Sequence, residues 1–174
     1  MRSASSREPS GREIAIIVGF VNHPRLIGEA FEHFADLELP PGDLSRIRSC
    51  ILDLYADHPP RSRDEAMAGL AAAGLEGAFA AYESKLRILG LWSLLGEAAT
   101  EDARETVRQA LHLQHRYRSL HDELRSAEEA LAADPSEFAY GQIVAIKREI
   151  ENFSGTEALI DGFGLLSGKP ARTF

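Results

Sequence analysis

His112 and His115 stand three residues apart with His121 further on, and Glu105 and Asp122 lie in the same stretch. Imidazoles one helical turn apart with carboxylates in reach are legitimate ligands for zinc or for a carboxylate-bridged metal pair. Such a site needs further ligands from a facing helix, and the facing stretch Glu137 to Glu151 holds no histidine, so these read as polar surface side chains. His23 and His58 each precede a proline at an apparent helix end, where an imidazole caps the last carbonyls or lies on the surface. Cys50, the one cysteine, sits between Ile47 and Ile51 on an apolar helix face. It excludes an intramolecular disulfide and a cysteine zinc cluster, and reads as core. Neither a P-loop nor a dinucleotide fingerprint occurs, and no nucleophile, base and oxyanion group come together in the pattern. Nucleotide binding and catalysis therefore drop out, no cofactor is expected in this chain, and the functional question moves to its surfaces.

The histidines belong to a long periodic stretch. Ala110, Leu113, Tyr117, Leu120, Leu124, Ala127 and Leu131 recur at steps of three and four, the spacing of an a/d seam. Ala139, Ile143, Ile146, Ile150 and Phe153 repeat the pattern on a second arm. Between them, Ala132-Ala133-Asp134-Pro135-Ser136 stops one helix and starts another, because the residue before proline disfavours helix and proline suits a first turn. The expectation is an antiparallel hairpin from Thr100 to about Phe153. Its first arm, Thr100 to Ala132, would be roughly 50 Å long at 1.5 Å per residue, so it is expected to protrude from a small domain. Phe138 and Tyr140 lie beside the seam of the second arm and Leu111 lies off the seam of the first. Large apolar residues that a hairpin cannot bury are candidates for partner contact, the alternative for Phe138 being a local plug over the end of the hairpin.

Apolar residues make up 44% of the 174, enough for a core, and the low aromatic content with abundant Ala and Leu predicts an all-α fold. Net charge is −8, and from Glu101 to Glu151 seven basic residues face eleven acidic ones. That is no basic stripe, which argues against a grip on a nucleic-acid backbone. The longest apolar run, Ile14 to Val21, contains Gly19 and is far short of the roughly 20 residues that span a bilayer. No membrane is expected, the start makes a poor signal peptide, and the chain is placed in the cytoplasm.

Residues 1–9 are Ser/Arg-rich and read as a disordered linker or a cloning remnant. Ser10 with Glu13 has capping-box spacing and opens a helix that is apolar on nearly all sides, so its neighbours must bury it. Pro24 opens a second helix through Leu26, Ile27, Ala30, Phe31 and Phe34; Asp43 caps a third through Leu44, Ile47, Ile51, Leu54 and Tyr55. Ser62 with Glu65 opens a fourth that closes near Gly74, and a fifth runs through Phe79, Tyr82 and Leu86 to Gly90. Leu91 to Gly96 is expected to seat Trp92 against this bundle. Residues 10–96 thus form a bundle subdomain and 97–165 a long helix and hairpin. Ser154-Gly155-Thr156-Glu157 is expected to interrupt the helix before an amphipathic turn through Leu159, Ile160 and Phe163, leaving 166–174 as a flexible tail.

This order of elements resembles the C-terminal helicase-binding domain of bacterial DnaG-type primase, in its alphaproteobacterial form. The resemblance rests on Ile14-Ala15-Ile16-Ile17 with Asn22-His23-Pro24-Arg25-Leu26-Ile27. It continues in Arg108-Gln109-Ala110-Leu111 leading to Arg116, Leu120, Glu123, Leu124, Glu128 and Ala130, and ends in Gly155-Thr156-Glu157-Ala158-Leu159-Ile160-Asp161-Gly162-Phe163-Gly164. It covers about residues 11–165. It implies a non-catalytic domain of a larger DNA-directed RNA polymerase, whose zinc-binding and magnesium-dependent polymerase domains lie outside these residues. It also implies docking onto the N-terminal domains of the hexameric DnaB-type helicase, which brings primer synthesis to the fork and modulates the helicase. Carried over by region, the docking residues are Phe138, Tyr140, Ile143, Lys147 and Arg148 with Leu131 and Glu128. The segment Gly155 to Gly164 departs from primases that end near the hairpin, and would pack on the arms or cover the docking face. The chain alone is expected to be monomeric. Two alternatives remain: a helical self-association module, and the architecturally related N-terminal domain of a replicative helicase.

Overall fold

The computed structural model describes residues 7–158, with side chains up to Phe153. Every regular element among them is helical: α1 (Gly11–Asn22), a 3-10 helix (Pro24–Glu29), α2 (Phe31–Ala35), α3 (Asp43–Asp57), α4 (Arg63–Ala72), α5 (Glu76–Ile88), a 3-10 turn (Trp92–Leu94), α6 (Thr100–Ala133) and α7 (Glu137–Ala158). The all-α expectation holds. Two compact units divide inside α6, after Leu111.

The first unit is built around α1. Its capping box forms as the spacing requires: the Ser10 hydroxyl accepts from the Glu13 N–H at 3.3 Å, and the Ser10 N–H donates to the Glu13 carboxylate at 2.8 Å. Every residue from Arg12 to Asn22 is buried, as an all-round apolar helix demands. The neighbours are α3, α4, α5 and the 3-10 turn at Trp92–Leu94, and Phe20 meets Phe34 edge to face with ring centroids 4.8 Å apart. The first turns of α6 join this core through Ala103, Val107 and Ala110. They approach closely because residue 19 is glycine: a Cβ there would lie 2.5 Å from Val107 Cγ2. The stretch read as linker is engaged at its end, with Arg7 paired to Glu13 at 2.6 Å and Glu8 to Lys85 at 2.7 Å.

Two helix ends follow from glycine. Gly74 (φ +69°) and Gly90 (φ +74°) take the left-handed conformation, and each is followed by a leucine whose N–H returns to the helix. Leu75 donates to the Leu70 carbonyl and Leu91 to the Leu86 carbonyl, both at 2.9 Å. All four leucines are buried, the hydrophobic contact that accompanies this C-cap.

Several local expectations are corrected. The second helix is broken in two, because Gly28-Glu29-Ala30 carries the chain from 3-10 geometry into the short α2. Asp43 does not cap α3; Gly42 occupies that position, and Asp43, one residue inside, pairs with Arg46 at 2.9 Å. Glu65 completes no box with Ser62 and accepts instead from the Arg61 N–H at 2.7 Å. Trp92 is exposed, at 39%, while Leu91, Ser93, Leu94 and Leu95 are the buried residues of that segment. His23 is not a surface residue: its ring is buried and Nε2 lies 3.1 Å from the Leu95 carbonyl. The interruption at Ser154–Glu157 does not occur, since α7 continues to Ala158; an interior glycine costs a helix only about 1 kcal/mol, which is not enough to end it. Leu159, Ile160, Phe163 and the tail lie outside the described residues.

Beside His23, Asn22 closes a polar cluster inside the unit. Its amide donates to Glu83 at 3.0 Å and to the Leu94 carbonyl at 2.9 Å, and accepts from Arg63 Nε at 2.7 Å. Residues from α1, α4, α5 and the 91–95 segment are thereby fixed at one point. Ser93 and Thr106 hydroxyls meet at 2.8 Å, and Thr106 also donates to the Asp102 carbonyl, so Ser93 is the donor between them.

Burial pushes the His23 pKa down, opposed by its bond to the Leu95 carbonyl. A histidine whose folded pKa is depressed binds fewer protons folded than unfolded, so its contribution to stability is full above the unfolded value, near 6.5, and is lost as pH falls through the folded one. We predict that urea midpoints of the chain fall between pH 7 and pH 5 and that His23→Gln flattens this component; an equal slope in the variant refutes it. Gly19→Ala should cost about 1–3 kcal/mol by overpacking. Val107→Ala in the same chain should recover part of that loss, and simple additivity of the two in a double-mutant cycle would show the close approach to be irrelevant.

Candidate docking surface on the hairpin

The second unit, described from His112 to Ala158, is α6 from that point and α7, joined at Asp134-Pro135-Ser136. The turn works as the residue types imply. Asp134 donates its N–H to the Ala130 carbonyl at 2.9 Å, ending α6, and the Ser136 hydroxyl accepts from the Ala139 N–H at 3.2 Å, opening α7. The arms run antiparallel about this turn, as their cross-pairs show: Arg116 with Glu149, Lys147 with Glu128 at 3.3 Å, and Tyr117 with Phe153, ring centroids 6.0 Å apart.

Every predicted seam residue from Leu113 to Phe153 is shielded. Leu120, Ala139 and Ile143 are buried, and Leu113, Tyr117, Leu124, Ala127, Leu131, Ile146, Ile150 and Phe153 are half-buried. The two helices do not enclose the whole of their shared stripe, because most side chains of the seam keep an edge open on the flanks.

The site residues expected from the sequence fall into three groups. Phe138 and Tyr140 are exposed at 76% and 61%, so Phe138 does not plug the end of the hairpin. Ile143, 6% exposed, and Leu131, half-buried, are taken by the seam and are corrected from contact residues to supports. Glu128 and Lys147 are exposed but paired with each other, and Arg148 is exposed. Leu111 is likewise corrected: it packs partly buried against the core of the first unit.

Phe138 and Tyr140 do not form one patch. At 100° per residue they point about 160° apart around α7, on opposite sides of the seam. Tyr140 shares its flank with half-exposed Val144 at i+4 and with the Lys147–Glu128 pair. On the Phe138 flank, Gln142 and Ala145 at i+4 and i+7 line a shallow groove of about 890 Å³ whose other wall is α6. Its floor is small, with Ser126, Ala127 and Ala130, and His115, Arg118 and Asp122 stand along the α6 side. Sequence reasoning named the exposed aromatics but not this groove, although the small residues at helical spacing were the available signal.

Among the described residues no group of three or more His, Cys, Asp or Glu side chains could hold a metal ion. His121 packs on Tyr117, ring centroids 4.4 Å apart. Cys50 is half-buried with its thiol 3.7 Å from the Gly69 carbonyl, and burial raises its pKa. Among the described residues no helix is long and apolar enough to cross a membrane. Compared with protein-family models, with curated proteins and with solved structures, the chain matches none of them significantly.

Seam and flank make separable demands. We predict that Ile143→Asp, which puts a carboxylate into the seam, destabilises the hairpin by about 3 kcal/mol or more, read as lost amide protection over residues 112–153. Phe138→Ala should change stability by less than about 0.5 kcal/mol. Equal protection losses in the two variants would make Phe138 part of the hairpin's own core.

Proposed function

We propose that the chain is the helicase-docking domain of a DnaG-type primase: a non-catalytic module that binds the N-terminal domains of a DnaB-type hexameric helicase, recruits primer synthesis to the fork and modulates the helicase. The observation that carries the reading is a helical hairpin with Phe138 and Tyr140 left in solvent beside its turn, after a bundle in the order the resemblance requires. Burying one such ring yields about 1.5–3 kcal/mol, so each flank carries a ring able to anchor a contact. The half-open seam supports the same reading, since a third helix laid along either flank would complete its burial. The contact residues are then Phe138, Tyr140 and Arg148, with Val144 added from the structure; Ile143 and Leu131 hold them in place.

The test is binding of the full chain to a DnaB-type helicase by co-elution and calorimetry. Phe138→Ala and Tyr140→Ala are each expected to weaken it by about tenfold, 1.4 kcal/mol, with helicity unchanged. Undiminished binding by the double variant would remove the hairpin flanks from the contact. A chain that dimerises at high micromolar concentration and ignores the helicase would replace this reading with self-association.

A further inference from the structure

The first unit carries a groove of its own, independent of the proposed docking function. It measures about 470 Å³ and lies between the start of the 3-10 helix at Pro24 and the connection from α3 to α4. Most other arginines of the unit are engaged within it, Arg48 by the carbonyls of Ala35 and Leu37. Arg46, Arg63, Arg87, Arg104 and Arg108 each rest on a carboxylate. Arg25 and Arg61 line the groove and have no carboxylate partner among the described residues; Arg25 donates only to the Arg61 carbonyl, at 3.3 Å. In a chain with 27 acidic residues against 19 basic ones, acids were not lacking. His58 adds an imidazole to the lining, and Glu65, the one acid there, is engaged by the Arg61 N–H.

The rest of the lining suits an organic body. Pro24 and Pro60 are buried and Pro59 lies beside them, an apolar wall with no N–H to satisfy. Tyr55 is fixed by stacking on Phe31, with ring centroids 5.0 Å apart, and its hydroxyl has no hydrogen-bond partner among the described residues. Residue 28 is glycine, and a Cβ there would stand 3.2 Å from that hydroxyl, so the glycine keeps the space beside it open.

We infer that this groove binds a small phosphate monoester. The phosphate is held by Arg25, Arg61 and His58 with the Tyr55 hydroxyl donating to it, and the organic part lies along the proline rings. A monoester carries about −1.5 to −2 charge at pH 7 and answers two guanidiniums better than a carboxylate does. The volume lies within the range of small-ligand pockets, about 300–1,000 Å³. Such a site needs no glycine-rich loop, so the absence of phosphate-loop motifs does not bear on it.

A nucleoside monophosphate and a sugar phosphate share this chemistry, and the experiment separates them. The full chain is titrated with AMP, ribose 5-phosphate, inorganic phosphate and benzoate, followed by amide chemical shifts and calorimetry. Saturable shifts confined to residues 24–28 and 55–65 are expected with the two monoesters, more weakly with inorganic phosphate, and none with benzoate. AMP ahead of ribose 5-phosphate assigns the proline wall to a base; equality assigns it to the sugar. Arg25→Gln with Arg61→Gln should weaken binding at least about tenfold, with an unchanged thermal melt. No saturation by about 10 mM ligand, benzoate binding as well as the monoesters, or full binding by the double variant overturns the site.

Discussion

A helix with no polar face has to be surrounded, and the first unit is organised by that one constraint. From Arg12 to Asn22, α1 leaves nothing in solvent, so α3, α4, α5 and the Trp92–Leu94 turn are placed where they cover it. The same constraint explains residue 19. Close approach of α6 covers the remaining side of α1, and only a residue without a Cβ admits Val107 there. A buried helix must also end somewhere, and its last polar groups then need partners inside the protein. Asn22 and His23 meet that need through Glu83, Arg63 and the carbonyls of Leu94 and Leu95.

The hairpin obeys a weaker rule. Its stripe is the width of a two-helix seam, so only Leu120, Ala139 and Ile143 reach full burial while the other seam residues stay open on one edge. Its exposed ion pairs add little, since exposed pairs contribute at most about 1 kcal/mol; Lys147–Glu128 and Arg116–Glu149 fix register more than stability. Among the described residues, the early turns of α6 belong to the first core and its later ones pair with α7.

What could be read from the sequence follows the range of the interaction. Seam residues, the Ser10 and Ser62 caps, the glycine stops and the Pro135-Ser136 turn are local and were legible. The break in the second helix and the continuity of α7 through Gly155 were not, because each turns on small differences in backbone free energy. The Asn22 cluster joins residues 41, 61 and 72 positions apart, beyond any periodic pattern. The groove at Arg25 and Arg61 depends on which arginines remain without an acid, a property of the folded surface alone.

The candidate contact set shows the same distinction at one residue's scale. Ile143 and Phe138 are both large, apolar and on α7, and composition treats them alike. Position on the helix separates them: Ile143 falls within the stripe, Phe138 lies about 140° round the helix from Ile143 at 100° per residue, and their exposures are 6% and 76%. A residue can serve a partner only with area its own fold has not used. The surface available to a partner is therefore the two flanks, and the seam that the periodicity made conspicuous is what holds those flanks apart.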